Sequence, residues 1–187
     1  MKTICLAVVI LFASVMARAQ GTVSFSNESF NAVTNGLTGD RVVAGNTFLA
    51  SLYYAPDGVT TESLFTQLGS TIGFNAPGLF NGGMLTTPTN TPPFGWAMFQ
   101  VKVWESAYGA TYDDALIAPA QNGRFALAGK SDIMRVITGD ERGFPIPGVL
   151  PSSGLRIVLY PVPEPSTCVL ALMGGTALCL AKRKVRI

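Results

Sequence analysis

The chain has 187 residues, 48% hydrophobic and 13% charged, with no histidine and with its three cysteines, Cys5, Cys168 and Cys179, confined to two apolar end segments. With neither histidine nor cysteine between residues 20 and 162, that body has no Ser-His-Asp triad, Cys-His dyad, thiolate nucleophile, Cys/His zinc site or internal disulfide. The formal charge of +2 belongs to the ends: residues 20–162 carry seven cations against ten acids, a net −3, which excludes the basic face that nucleic-acid binding requires.

Residues 1–20 read MKTICLAVVILFASVMARAQ. Lys2 gives a positive start, residues 4–16 are apolar, and Ala17-Arg18-Ala19 places small residues at the −3 and −1 positions of a cleavage site before Gln20. The run is short for a bilayer span and offers no polar face for a surface helix. These features predict a secretory signal peptide over 1–19, removed by signal peptidase. Cys5 stands too early, with no small-residue lipobox before it, to be lipidated.

The body reads as all-β. Gly and Pro punctuate short runs rich in Val, Phe, Thr and Tyr. Residues 22–26 (TVSFS) alternate strictly, with Val23 and Phe25 on one face. Residues 48–54 (FLASLYY) put Phe48, Ala50, Leu52 and Tyr54 together and stop at the turn signature Ala55-Pro56-Asp57-Gly58. Residues 63–68 suit a short helix or a strand equally, and residues 75–95, with Gly82-Gly83, Pro88, Pro92 and Pro93, read as a long loop. Residues 97–104 (AMFQVKVW) are the clearest strand: Phe99, Val101 and Val103 face one way, Gln100 and Lys102 the other. Residues 133–138 and 155–160 are further strands, and 123–127 a weaker one. Six to nine short strands favour one domain over 20–160, an antiparallel β-sandwich of immunoglobulin-like or jelly-roll type, with a closed barrel second.

Few residues in that body suggest chemistry. Trp96, Trp104, Tyr108 and Tyr112 cluster in sequence and suit an aromatic platform for sugar rings, although core or edge packing is the commoner fate of large aromatics. Asp113-Asp114 fit calcium ligation or an acidic pair only from a loop, and the following Ala115-Leu116-Ile117 is not a calcium-loop pattern; they read as solvated turn or helix-start residues. Asp140-Glu141 beside Arg142-Gly143 reads as a turn. Ten acids permit many glycosidase-like pairs and single out none. Ser-x-x-Lys does not occur, and Lys130-Ser131 lacks the upstream glycine of a phosphate loop. Asn27-Glu28-Ser29 matches a glycosylation sequon. No cofactor and no metal are expected.

Residues 162–187 have three parts: the tract Val162-Pro163-Glu164-Pro165, an apolar stretch over 168–181, and the basic tail Lys182-Arg183-Lys184-Val185-Arg186-Ile187. The prolines hold the tract extended, so a helix starts after it, with Ser166 or Thr167 as N-cap. Fourteen residues make about 21 Å of helix against roughly 30 Å of hydrocarbon, so this transmembrane helix has a marginal hold, and the cations beyond it keep the tail cytoplasmic and the body outside. This arrangement resembles the PEP-CTERM sorting signal of exosortase substrates, here assigned to 161–187. The resemblance implies export, membrane anchoring through the helix, recognition of Pro163, Glu164 and Pro165 by the membrane enzyme exosortase, and processing nearby. It leaves Cys168 and Cys179 without a role. Its bearers are exported surface or matrix proteins of polysaccharide-producing cells of Gram-negative type. The leading expectation is thus a non-enzymatic structural or adhesive protein of the cell surface or extracellular matrix. A carbohydrate-binding module for extracellular polysaccharide is the second reading, and a secreted carboxylate hydrolase the third.

Overall fold

A computed structural model describes residues 20–140 and 147–162. The signal peptide expected over 1–19, Glu141 to Gly143, the Pro163-Glu164-Pro165 tract and the helix expected over 168–181 lie outside the described residues.

Among the described residues eleven strands form: β1 (Gly21–Ser26), β2 (Thr34–Asn35), β3 (Gly45–Pro56), β4 (Thr66–Phe74), β5 (Asn81–Thr86), β6 (Trp96–Glu105), β7 (Leu127–Lys130), β8 (Met134–Ile137), β9 (Gly139–Asp140), β10 (Gly148–Val149) and β11 (Val158–Pro161). One short helix, α1 (Tyr112–Ile117), follows β6. In the smaller sheet β1 is central, with β5 on one side and β9 and β10 on the other. The larger sheet runs β2-β11-β7-β6-β3-β4, and β8 shares the β7 side of β6, pairing along Trp96 to Phe99. The β1–β10 and β2–β11 pairings are parallel and the rest antiparallel, so the sheets are mixed where purely antiparallel ones were expected.

The alternation in β3 and β6 sets the core. Ala50, Leu52, Tyr54, Phe99, Val101 and Val103 point inward and meet Val23 and Phe25 of β1 in a single apolar cluster, the layered arrangement of a sandwich. Phe25 and Phe80 lie 5.0 Å apart between ring centroids, and Phe74 meets Phe80 edge-on at 5.8 Å. Each buried phenylalanine contributes roughly 1.5–3 kcal/mol, and this burial has to stabilise a body without disulfides.

Three stretches differ from the sequence-based expectation. The weaker strand expected over 123–127 is a turn closed by the Gln121–Arg124 bridge, and β7 starts only at Leu127. The supposed loop over 75–95 contains β5, whose strand signal is diluted by Gly82 and Gly83. Gly82 is required there, because a Cβ would lie 2.5 Å from the Phe25 ring. Residues 63–68 divide between a 3-10 turn, Glu62–Leu64, and the start of β4.

Candidate functional site

Of the four aromatics expected on a platform, three are inside the fold. Trp104 is 0% exposed, and Tyr108 and Tyr112 are buried with it, packed with Ala115, Ala126 and Ala128. The cause is α1, which returns over the outer face of β6 as soon as that strand ends. Gly109 permits the return: a Cβ there would sit 2.4 Å from Asp114 Cβ. Trp104 Nε1–H donates to Gly109 O at 3.1 Å, Tyr108 OH donates to Arg124 O at 2.7 Å, and the Trp104 and Tyr112 rings meet edge-to-face at 6.3 Å. The sugar-platform expectation is therefore corrected at Trp104, Tyr108 and Tyr112; Trp96 alone of the four is exposed, at 42%.

Asp113 and Asp114 sit where the helix-start reading put them. Asp114 N–H donates to Thr111 Oγ1 and Thr111 N–H to Asp114 Oδ2, both at 3.1 Å, a reciprocal cap that satisfies two otherwise orphaned donors. Asn27 of the sequon is equally committed: Nδ2 donates to Asn31 O and Gly78 O at 3.0 and 2.9 Å, and Oδ1 accepts Phe80 N–H at 2.8 Å. Among the described residues no group of three or more His, Cys, Asp or Glu converges as a metal site.

Sequence reasoning missed a polar centre at Lys102. Alternation placed this lysine on the outer face of β6, and the usual inference is that it is solvated. Its side chain is instead only 7% exposed, with Nζ 3.2 Å from Glu62 Oε1. The ammonium lies 4.4 Å from the Tyr53 ring centroid and 5.1 Å from that of Tyr112, close enough for cation–π attraction to both. Lys130 pairs with the other oxygen of Glu62, and Asp113 and Phe65 complete the wall of a cleft of about 330 Å³. Burial pushes Glu62 upward, but hydrogen bonds from Lys130 and Lys102 outweigh it and hold the carboxyl below its ordinary range. Burial, followed by the charges of Glu62 and Asp113, pushes Tyr112 up to about 12, and Tyr53 is raised by burial and Asp113. All three groups are driven away from neutrality, the reverse of what general acid–base catalysis needs. The arrangement clamps the 3-10 turn and α1 to the sheet.

At the other end of β6 the chain forms an exposed corner. Gly95 N–H donates to Pro92 O at 2.9 Å, closing a turn with Pro93 and Phe94 at its centre. Phe94 has φ +62, so this bulky residue occupies the position where a type II turn ordinarily has glycine. Phe94 N–H donates to Thr138 O at 3.0 Å, and Thr138 N–H to Gly95 O at 2.9 Å. Trp96 pairs with Ile137 across the ladder. The Arg135 guanidinium lies over the Trp96 ring at 4.2 Å, and Asp57 holds it with two hydrogen bonds of 2.7 and 2.8 Å. Hydrogen bonding from Arg135 keeps the Asp57 carboxyl below its usual range.

The described chain ends in the sheet. Pro161 pairs with Leu127, and Val162 N–H donates to Ala126 O at 2.9 Å. Residues 161–186 match the PEP-CTERM protein-sorting motif, so the sorting signal begins inside the last strand of the fold. No curated protein and no solved structure matches the chain, and the similarity is confined to this C-terminal end.

Proposed function

We propose that this chain is an exported substrate of exosortase whose β domain acts at the cell surface or in the extracellular matrix, as a structural or adhesive element without catalysis. The match over residues 161–186 carries the reading. Signal peptidase releases the chain after Ala19, the apolar stretch over 168–181 holds it in the membrane, and exosortase recognises Pro163, Glu164 and Pro165. At least four of the ten carboxylates of residues 20–162 have structural partners: Glu62, Glu105 and Asp57 are each ion-paired, and Asp114 caps a helix.

Changing Glu164→Ala together with Pro165→Ala tests it. The surface fraction of producing cells, examined by mass spectrometry, should lose the peptide that ends near residue 165, and the full-length chain should accumulate in the membrane. Identical C-terminal peptides from mutant and wild type would overturn the exosortase reading.

A further inference from the structure

We propose that the corner formed by Phe94, Trp96 and Ile137, with the Arg135–Asp57 pair beside it, is a binding site for a neutral polysaccharide. This inference rests on the adhesive reading above and gives it a ligand.

Phe94 supplies the first argument. A non-glycine residue at φ +62 is held in a sparsely populated conformation, and the return on that strain is normally burial or function. Phe94 is 54% exposed, so burial does not provide it. The turn instead projects the ring into solvent two residues from Trp96.

The second argument is the fixed orientation of Trp96. Arg135 covers one face of the indole and is itself locked by Asp57; the 42% of the residue that remains accessible is therefore not the face under the guanidinium. Ile137, 45% exposed, flanks it on the same face of the ladder. An open, rigid indole two residues from a second exposed aromatic suits the apolar C–H face of a pyranose ring, and an adjoining guanidinium–carboxylate pair offers both donors and acceptors to hydroxyl groups.

Charge and position narrow the occupant. Arg135 is neutralised by Asp57 and residues 20–162 carry a net −3, so the charge balance disfavours an anionic polymer; a neutral one fits. A bilayer is the wrong occupant, because the chain leaves the fold at the opposite end of β6. Val162 adjoins Ala126, next to the level where Trp104 pairs with Ala128, and Trp104 lies about 26 Å along the strand from Trp96. The five residues between Val162 and the apolar stretch reach about 20 Å at most, which keeps the Val162 end near the membrane before processing, with the Trp96 corner at the far end of β6.

The test uses the full-length chain in detergent micelles, incubated with amorphous cellulose, chitin and mannan as neutral probes and alginate as an anionic one. Retention on at least one neutral probe is expected, with Trp96→Ala and Phe94→Gly each lowering affinity tenfold or more and alginate binding no better than background. Tryptophan fluorescence should shift on binding in wild type and not in Trp96→Ala, which leaves only buried Trp104. Phe94→Gly is the sharper variant, because glycine relieves the backbone strain: its melting temperature should equal or exceed that of wild type while binding falls, so misfolding cannot explain the loss. No retention on any neutral probe, wild-type binding by both variants, stronger binding to alginate, or a self-association or lipid-vesicle binding that Trp96→Ala abolishes would each overturn the site. Because these assays require neither export nor processing, their failure leaves the sorting reading standing, and failure of sorting leaves them intact.

Discussion

The two tryptophans of β6 make an internal comparison. Trp96 and Trp104 are eight residues apart on one strand, so alternation puts them on the same, outer face. Trp104 is completely buried beneath α1, whereas Trp96 is 42% exposed. One strand face therefore behaves as core at one end and as surface at the other. Periodicity determines which face a side chain joins; whether that face is covered depends on where the chain goes next, and α1 covers only the Trp104 end.

The comparison can be broken most severely from the inner face beneath it. Val101 is 0% exposed between the sheets, and Val101→Asp strands a carboxylate in apolar surroundings at a cost of several kcal/mol. No folded protein should be recovered, and a variant melting within a few degrees of wild type would show the register of β6 to be wrong. Next come the tryptophans themselves: Trp104→Ala should cost about 3–5 kcal/mol, and Trp96→Ala about 1 kcal/mol or less, mainly its contact with Arg135. Thermal melts of the full-length chain in detergent measure both, and equal losses would contradict the contrast.

Between the two ends lies Lys102, where the effects fall below that of Trp104→Ala. Lys102→Met should change stability by about 1 kcal/mol or less, since an apolar side chain of similar length fills the site and Glu62 keeps Lys130. Glu62→Gln should cost more, about 1–3 kcal/mol, because it leaves a buried ammonium without its counter-charge; Glu62 is partly exposed, which holds the figure below that of a fully buried pair. A separate effect is alkaline. A tyrosine raised from 10 to about 12 in the fold gives stability that is whole below pH 10 and is lost as pH rises toward 12. Absorbance titration should show a late phenolate step near pH 12 that Tyr112→Phe removes.

Much of the central architecture was legible in the sequence. The inward faces of β1, β3 and β6 follow from alternation, the end of β3 from Pro56-Asp57-Gly58, and the Asp113-Asp114 pair from its apolar sequel. What was not legible depends on contacts distant in sequence. β5 is recognisable as a strand only once Gly82 is seen against the Phe25 ring. The outer face of β6 is buried because α1 and the Glu62–Leu64 turn arrive from either side, and alternation alone does not show that Lys102 and Trp104 are covered. The left-handed Phe94 is likewise illegible, because Pro-Phe-Gly fits a type I turn with glycine last as well as it fits the type II turn that forms.

The sharing of Pro161 between β11 and the sorting signal, with Val162 still bonded to Ala126, has a mechanical consequence. β11 lies between β2 and β7, and its hydrogen bonds run across the strand. Tension applied at residue 163 and directed along β11 loads those bonds together, in shear, rather than peeling them one by one. A load applied there is therefore resisted by the whole strand at once.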